Sequence, residues 1–202
     1  MIYSSGPAAF DYAFACTPKG CAEDFLRWVF VRGRGQFGYR QHWLGSQNAQ
    51  VVASGTAQTG ADNLSNLLLA AGQIIGFYGP RYCWKVLWRG VQLERIIAPP
   101  AKRTFYLAHL GVNQAITGQG IGSQLIEFLL QQGRAAGFSC CALDVAASNP
   151  RAQALYERFG FVLQRETASH LPGTAAHRYT QRPLQLPTVA FASRGARDTA
   201  CS

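Results

Sequence analysis

The stretch from Gly111 to Leu130, GVNQAITGQGIGSQLIEFLL, carries four glycines within its first twelve residues and then becomes periodically apolar. Residues 103–112, which overlap the start of this stretch, have the pattern of a β-strand. Residues 120–136 have the pattern of a helix. The first turn of a helix has N–H groups without partners, and its dipole favours an anion. Glycines remove the side chains that would keep an anion away. The segment therefore predicts a loop suited to a phosphate, with a turn that merely allows close packing as the alternative.

The predicted inner face of the helix consists of Ile121, Leu125, Phe128 and Leu129.

Two common phosphate-binding loops do not fit this spacing. A P-loop requires Gly-Lys followed by Ser or Thr, and no such triplet follows here. A dinucleotide-binding fingerprint requires Gly-x-Gly-x-x-Gly and an acidic residue about 20 positions further on. Here the glycines alternate as Gly118-Gln119-Gly120-Ile121-Gly122, and Asp144 lies inside the next predicted strand.

Hydrophobic periodicity divides the rest of the chain into a regular order of elements. The nearly continuous apolar run FSCCALDVA is typical of a buried strand in a parallel or mixed sheet. We predict one α/β domain over residues 1–184, with 185–202 as a flexible tail. Residues 1–18 have the pattern of a loop or the ragged end of a helix. The other predicted elements are helix 21–30, two strands joined by a turn near 46–48, helices 61–77 and 80–97, strand 103–112, helix 120–136, strand 138–146, helix 150–159, and strands 161–167 and 177–184.

The composition excludes several classes of protein. The hydrophobic fraction of 48% suffices for a core and lacks the signature of disorder. No uncharged apolar run approaches the roughly 18–20 residues of a membrane span, so we expect no membrane association. The net charge is +9, but the arginines are scattered from Arg27 to Arg197 and form no stripe. This distribution disfavours a nucleic-acid-binding surface.

Cysteine and histidine spacing argues against a disulfide framework and against a metal site. The six cysteines form no C-x-x-C pair, and Cys140 and Cys141 are adjacent within a predicted strand. Free thiols in a reducing cytoplasm are therefore expected. None of the four histidines lies at ligand spacing from another histidine or a cysteine, so we predict no metal.

Two blocks of the sequence together resemble the GNAT superfamily of acyl-CoA-dependent N-acetyltransferases. The first is Thr117-Gly118-Gln119-Gly120-Ile121-Gly122, which is similar to the family's glycine loop Arg/Gln-x-x-Gly-x-Gly/Ala. The second is LDVAASNPRAQALYERFGF at 143–161. The blocks have the family's order and separation, and the resemblance covers roughly residues 103–183. In the second block the shared positions are Asn149, Ala152, Tyr156, Gly160 and Phe161.

The resemblance implies a mixed, mostly antiparallel central sheet flanked by helices. It implies acceptor-side elements within residues 1–100 and an acetyl-CoA-binding core at 103–167. Tyr156 would be the general acid that protonates the departing thiolate of CoA, unless it is only a packed helix tyrosine. Asn149 would contact the pantetheine arm, which is compatible with a role as a helix cap. The remaining acetyl-CoA contacts that the resemblance implies are Leu110, Gly111 and Val112 for the pantetheine arm, and Thr117, Gly118, Gln119, Gly120, Ile121, Gly122 and Ser123 for the pyrophosphate.

The activity that follows from the resemblance is acetyl transfer from acetyl-CoA to a primary amine by direct attack in a ternary complex. The acceptor is a small-molecule amine or a protein amine. A non-catalytic acyl-CoA-binding module is the alternative, and a nucleic-acid-associated protein is a third hypothesis. Thr117 stands where the family usually has Arg or Gln, and the family's first strand is missing before the segment IYSSGPAAFDYAF. The next strand would then be an exposed edge of the sheet.

An amine acceptor is mostly protonated at neutral pH, so a general base would help its attack. Strand alternation puts Tyr106 and Ala108 on the face that the resemblance directs at the acceptor, and turns His109 toward the core or a helix. Tyr106 is a poor base unless its pKa is lowered. We expect the aromatic residues Phe10, Tyr12, Phe14 and Tyr78 to give the acceptor cleft a partly apolar lining. The candidate bases, none of them assigned, are Tyr106, His109, Glu94, His170 and Asp11.

Overall fold

The computed structural model describes residues 1–15, 17–60, 63–97 and 99–184, and a six-stranded sheet lies at its centre. The strand order is β1-β2-β3-β4-β6-β5. Among these strands, β3 and β4 pair in parallel and every other neighbouring pair is antiparallel. The predicted mixed, mostly antiparallel sheet is confirmed, and β1 is an edge strand. The strands are β1 His42–Gln47, β2 Gln50–Gln58, β3 Thr104–Val112, β4 Cys140–Ala146, β5 Val162–Thr167 and β6 His177–Pro183.

The described residues form six α-helices that flank the sheet, and local sequence signals set several of their ends. The carboxylate of Asp24 accepts a hydrogen bond from the Cys21 amide, which caps the start of α2, and Gly33 ends this helix at φ +72°. Asn149 and Pro150 begin α6. The helices are α1 Pro7–Phe14, α2 Ala22–Arg32, α3 Asn63–Tyr78, α4 Cys83–Glu94, α5 Ile121–Ala135 and α6 Pro150–Arg158.

Of the two alternatives predicted for residues 1–18, a loop or the ragged end of a helix, the loop was wrong, because the segment contains the helix α1. Pro7 lies in its first turn, where its fixed φ suits a helix and its missing N–H costs nothing. Phe10 and Phe14 are one turn apart and both join an aromatic core. Burial of these rings stabilises a helix of only eight residues. The predicted tail at 185–202 lies outside the described residues.

One face of the sheet packs against α5. Leu125, Ile126, Leu129 and Leu130 of this helix are buried there, whereas Phe128 is 39% exposed and meets the ring of Trp43 edge-on. The prediction that Phe128 faces the core was therefore wrong. The buried face of α5 includes Ile126 and Leu130 in place of Phe128. From the strands, this core receives Ala53, Phe105, Leu107, Cys141, Leu143 and Val145.

The other face of the sheet packs against α1, α2, α3 and α4 through a second, largely aromatic core. Tyr78 is buried there, and its hydroxyl donates a hydrogen bond of 2.8 Å to the carbonyl of Phe14. Phe14 and Tyr78 are thus core residues and do not line a cleft, contrary to the prediction. Phe10 and Phe37 connect this core to the sheet, because their rings contact His109 of β3 at 6.0 and 5.0 Å between centroids.

The helical pair α3–α4 is inserted between two neighbouring strands, β2 and β3, as predicted. The C-terminal half of α3 contributes Ile74 and Tyr78 to the second core, and α4 contributes Val86. The first turns of α3 are exposed, and the helix carries no charged side chain. Nevertheless, within the described part of the chain no helix combines the length and apolarity that crossing a membrane requires.

Two glycines in helices should respond oppositely to an added methyl group. A Cβ at Gly133 of α5 would lie 2.8 Å from the ring of Phe105, so Gly133→Ala should destabilise the fold by about 1–3 kcal/mol through overpacking. A Cβ at Gly72 of α3 would meet nothing within 4 Å, so Gly72→Ala should stabilise it by about 0.5–1 kcal/mol. Urea unfolding of both variants measures this difference, and a stabilising Gly133→Ala would contradict the close packing of α5 on β3.

Candidate functional site

The two parallel strands at the centre of the sheet separate before they end. Pairing between β3 and β4 covers Thr104–Tyr106 and Cys140–Ala142, although β3 continues to Val112 and β4 to Ala146. On its other side β3 stays bonded to β2, up to the pair of Ala53 with Val112. A gap therefore opens between β3 and β4 toward their carboxyl ends. The backbone of Leu110, Gly111 and Val112 borders this gap without a strand partner on that side among the described residues.

A bulge at His109 reverses the facing of β3 halfway along the gap. Thr56 pairs with Ala108 and Ser54 with Gly111, so two residues of β3 stand opposite one residue of β2. His109 has a φ of +53°, which is rare for a residue with a side chain. Leu107 faces α5 before the bulge, and Leu110 and Val112 face α5 after it. His109 is therefore buried against α1 on the other face of the sheet. The prediction of a core or helix-facing histidine is confirmed, but the face that strict alternation gave it was wrong.

The glycine loop lies at the open end of the gap, between β3 and α5. Gly118 and Gly120 have φ of +88° and +79°, and a Cβ at either would meet nothing within 4 Å. Thr117, Gly118, Gln119 and Gly120 are all exposed. The hydroxyl of Thr117 donates to the carbonyl of Gln114 at 3.3 Å, so this side chain is occupied within the loop. The structure thus brings an open, left-handed turn to the edge of the gap.

The first turn of α5 leaves backbone amides free, and the packing around it does not call for a glycine. The first-turn amides of α5, at Ile121, Gly122 and Ser123, have no intrahelical partner, because the first helical bond runs from Gln124 to Gly120. They leave N–H groups for an anion. A Cβ at Gly122 would lie 3.4 Å from Leu155 of α6 and 3.8 Å from Val112, which is ordinary van der Waals contact, so packing does not require a glycine there.

Helix α6 brings Asn149 and Tyr156 to the side of β4 that faces α5. The Asn149 side-chain oxygen accepts from the Ala152 amide at 3.1 Å, so this residue is a helix cap. Tyr156 packs against the first core and meets the ring of Phe161 edge-on at 6.1 Å. Burial raises the pKa of its phenol to about 12. Its hydroxyl makes no hydrogen bond to any residue that the structure describes.

Sequence reasoning missed Asp144, which lies in β4 at the edge of the gap. Its Oδ2 accepts a hydrogen bond of 2.8 Å from the hydroxyl of Tyr106. Burial raises the pKa of this carboxyl, and the Tyr106 hydrogen bond and the charge of Arg165 partly oppose that rise. For Tyr106 itself, burial and the neighbouring carboxylate raise the pKa well above its usual value, so it is no base. An acidic residue inside the apolar run FSCCALDVA was the available signal.

A pair of stacked histidines lies on the same face of the sheet. The rings of His42 in β1 and His109 in β3 are 5.5 Å apart and nearly parallel, and the two strands flank β2. The His42 Nδ1 lies 2.9 Å from the carbonyl of Gly38. His42 Nε2, His109 Nδ1 and the hydroxyl of Ser54 are buried without a hydrogen-bond partner within the described residues. Burial lowers the pKa of His42, and it lowers that of His109 to about 3 with a further contribution from His42.

The inserted helix α3 and strand β2 line an open pocket of about 220 Å³. Thr56, Ala57 and Gln58 form its floor, and Gln58 pairs with Tyr106 of β3 at the closed end of the gap. None of the aromatic residues predicted to line the acceptor cleft lies in this pocket. The other lining residues are Gly35, Gln36, Gln41, Ser65, Asn66 and Leu69.

The other candidate bases are exposed side chains. Asp11 accepts a hydrogen bond of 2.9 Å from the Tyr3 hydroxyl, Glu94 is the last residue of α4, and His170 lies between β5 and β6. In the ranges that the structure describes, no three His, Cys, Asp or Glu side chains are grouped so as to hold a metal ion.

Comparison with known proteins gives a family match and several similar folds. The model of the acetyltransferase (GNAT) family matches residues 27–161. An N-acetyltransferase from Staphylococcus aureus Mu50 has a similar structure, with a TM-score of 0.61 at 14% identity over 87% of this chain and 90% of that one. The ribosomal-protein-S18-alanine N-acetyltransferase from Escherichia coli gives 0.50 at 18% identity over 92% of each chain. An agmatine N-acetyltransferase gives 0.53 at 18% identity over 90% of this chain and 89% of that one. A search of curated protein sequences found no match.

The buried histidines should make the fold sensitive to acid. In the folded protein His109 stays neutral, because its pKa is lowered to about 3. In the unfolded chain it takes up a proton below its usual pKa of 6.5. Protonation therefore favours the unfolded chain, and the free energy of unfolding falls as the pH drops below about 6.5. From pH 7.5 to pH 5 this one group should cost about 2 kcal/mol of unfolding free energy. His109→Asn, which tolerates positive φ, should flatten this loss, whereas the exposed His170→Asn should not. Urea unfolding at both pH values measures it, and equal slopes in all three proteins would contradict the prediction.

Proposed function

This chain belongs to the GNAT family of acetyltransferases, and we propose that it transfers the acetyl group of acetyl-CoA to a primary amine by direct attack in a ternary complex. The observation that carries this proposal is the gap between β3 and β4, with the glycine loop at its open end and Tyr156 beside it. The gap lets an extended chain pass between the two faces of the sheet. A thioester held there can be attacked from the face of α1–α4 while its sulfur lies toward α6.

The backbone that borders the gap supplies the groups for acetyl-CoA. Leu110, Gly111 and Val112 offer N–H and C=O groups to the amides of the pantetheine arm, as an added strand would find them. The loop from Thr117 to Gly120 and the first turn of α5, Ile121 to Ser123, hold the pyrophosphate through backbone amides. Thr117 adds no charge there. Asn149 uses its side-chain oxygen for the α6 cap, which leaves its amide N–H groups to donate to the pantetheine arm.

Tyr156 acts as the general acid toward the departing sulfur. Its raised pKa keeps the phenol protonated at neutral pH, and its hydroxyl is not committed to another described residue. The environment that disfavours a phenolate also disfavours a thiolate, so a CoA thiolate leaving beside Tyr156 is driven to take the proton. The free thiols of Cys21, Cys83, Cys140 and Cys141 support a cytoplasmic location for this reaction.

The acceptor is an amine of a protein or of a small molecule. Similar folds include one enzyme named for a ribosomal-protein alanine and one named for agmatine, so the fold serves both kinds. The polar pocket of about 220 Å³ beneath α3 can receive one extended chain of a small amine or one side chain of a peptide.

Replacing Gly120 by glutamate should abolish acetyl-CoA binding. The carboxylate would occupy the anion site and repel the pyrophosphate. The matched control is Gly173→Glu, because Gly173 has a similar φ of +74° and equally open surroundings, but lies between β5 and β6. Calorimetric titration with acetyl-CoA should show binding by the wild type and Gly173→Glu only. Unchanged binding by Gly120→Glu would show that the loop glycines serve packing alone.

Tyr156→Phe should keep acetyl-CoA affinity and slow turnover. Loss of a general acid costs about 10²-fold or more in rate, while the ring still fills its place in the core. Release of free CoA thiol with a panel of primary amines measures turnover, and calorimetry measures affinity. Wild-type binding without any turnover across the panel would favour a non-catalytic acyl-CoA-binding module. Full activity of the variant would reduce Tyr156 to a packing residue.

A further inference from the structure

The inserted helices α3 and α4 carry a large share of the exposed apolar side chains. Among the described residues sixteen large apolar side chains are exposed, and eight of them lie on these two helices. Soluble proteins rarely cluster exposed apolar side chains unless the surface binds something. Other residues, Ile74, Tyr78 and Val86, already anchor the two helices in the core. The eight exposed residues are Leu64, Leu67, Leu68, Leu69, Ile75, Trp84, Trp88 and Val91.

The exposed face of α4 combines tryptophan with cations. Trp84, Trp88 and Val91 are four and three positions apart, so they form one stripe along the helix. The two indoles are 64% and 56% exposed, although tryptophan is usually buried for the most part. Three exposed cations border this stripe, three positions before Trp84, three before Trp88 and four after Val91, and none forms an ion pair with a described residue. These cations are Arg81, Lys85 and Arg95.

The exposed face of α3 is both apolar and neutral. Leu64, Leu68 and Ile75 are four and seven positions apart, so they form a second outward stripe. The helix sequence NLSNLLLAAGQIIGFY contains no charged residue. A surface helix ordinarily keeps charged and polar side chains on the face that meets water. The outward side of α3 therefore suits an apolar environment better than it suits water.

Charge complementarity decides which kind of surface fits these helices. From residue 63 to residue 93 the sequence has three cations and no Asp or Glu. A second copy of this chain, joined through the same patch by a two-fold axis, would bring like charges together. A nucleic acid would meet the cations of α4 but would gain nothing from the leucines of α3. An anionic lipid bilayer suits both, because its headgroups attract cations and its interface accommodates tryptophan and leucine.

We propose that α3 and α4 bind the surface of an anionic lipid bilayer through their two outward stripes. The helices lie in the plane of the interface and do not cross it. The sequence-based expectation of no membrane association considered only spanning segments. This inference goes beyond the proposed function and does not rest on it, because no stripe residue belongs to the gap, the glycine loop or the pocket.

Vesicle flotation of the full chain measures this binding. The probes are vesicles of phosphatidylcholine alone and vesicles that contain about one third phosphatidylserine. The wild type should float with the anionic vesicles only, and less at high salt because salt screens the attraction. Trp84→Gln/Trp88→Gln should weaken binding by about 10-fold or more, since two large apolar side chains no longer leave water. The matched control Val162→Gln/Leu163→Gln removes two exposed apolar side chains from β5 and should bind like the wild type.

Lys85→Gln tests the attraction to the headgroups. Loss of one cation near an anionic surface should weaken binding about fivefold. Lys102→Gln removes another exposed lysine, which precedes β3, and should change binding little. Urea unfolding of each variant shows whether its fold is intact. None of these measurements needs acetyl-CoA or an amine, so a failure of the proposed function leaves the test unaffected.

Tryptophan fluorescence locates the contact. Brominated acyl chains in the anionic vesicles should quench the wild type. They should leave Trp84→Phe/Trp88→Phe nearly unquenched, because the remaining Trp28 and Trp43 are packed against the two cores.

Three results would overturn the inference. The first is a wild type that does not float with anionic vesicles at low salt. The second is equal flotation of the wild type and Trp84→Gln/Trp88→Gln, which would place the contact elsewhere. The third is a wild-type dimer in sedimentation velocity that this variant dissociates, without any flotation, because the face would then be an interface between copies.

Discussion

The loss of pairing between β3 and β4 beyond Tyr106 is the constraint on which the rest of the structure depends. A parallel pair at the centre of a sheet would ordinarily bond along its whole length, and the N–H and C=O groups left unpaired here are costly unless water or a ligand meets them. The chain keeps this arrangement because each of the two strands is paired on its other side. Strand β3 pairs with β2, and β4 pairs with β6 at all seven residues from Cys140 to Ala146. Each strand that borders the gap thus keeps a hydrogen-bonded partner on its other side, so the two strands can separate without leaving the sheet.

The bulge at His109 adjusts β3 to both layers along this gap. Without it, Leu110 and Val112 would turn toward α1 and expose the first core, because side chains alternate along a strand. With it, Leu107 and the two later residues all reach α5, and His109 joins the aromatic rings of Phe10 and Phe37. A positive φ at a histidine is a local cost that packing on both faces offsets.

Sequence patterns predicted the positions of the helices and strands well. They predicted less well which layer of the fold each side chain packs against. The long periodic helices and the strands around the glycine loop were found because apolar spacing and Gly or Pro punctuation determine them locally. Three features were missed for different physical reasons. The helix α1 is too short to show periodicity and depends on Phe14 finding a tertiary core. The facing of His109 depends on an extra residue relative to β2, which only pairing reveals. The importance of Asp144 depends on where pairing between β3 and β4 ends, and no local pattern encodes that point.

The alternation of β4 also explains why the proposed acid Tyr156 and the carboxylate of Asp144 do not meet, although both lie beside the gap. A phenol beside Asp144 donates to it, as Tyr106 does, and a phenol so engaged has no hydrogen to offer a leaving group. Tyr156 escapes this because α6 packs on the face of Leu143 and Val145, whereas Asp144 points to the other face. A shift of one residue in the register of β4 would bring both groups to one side. The backbone of the strand thus keeps the phenol of Tyr156 apart from the carboxylate of Asp144.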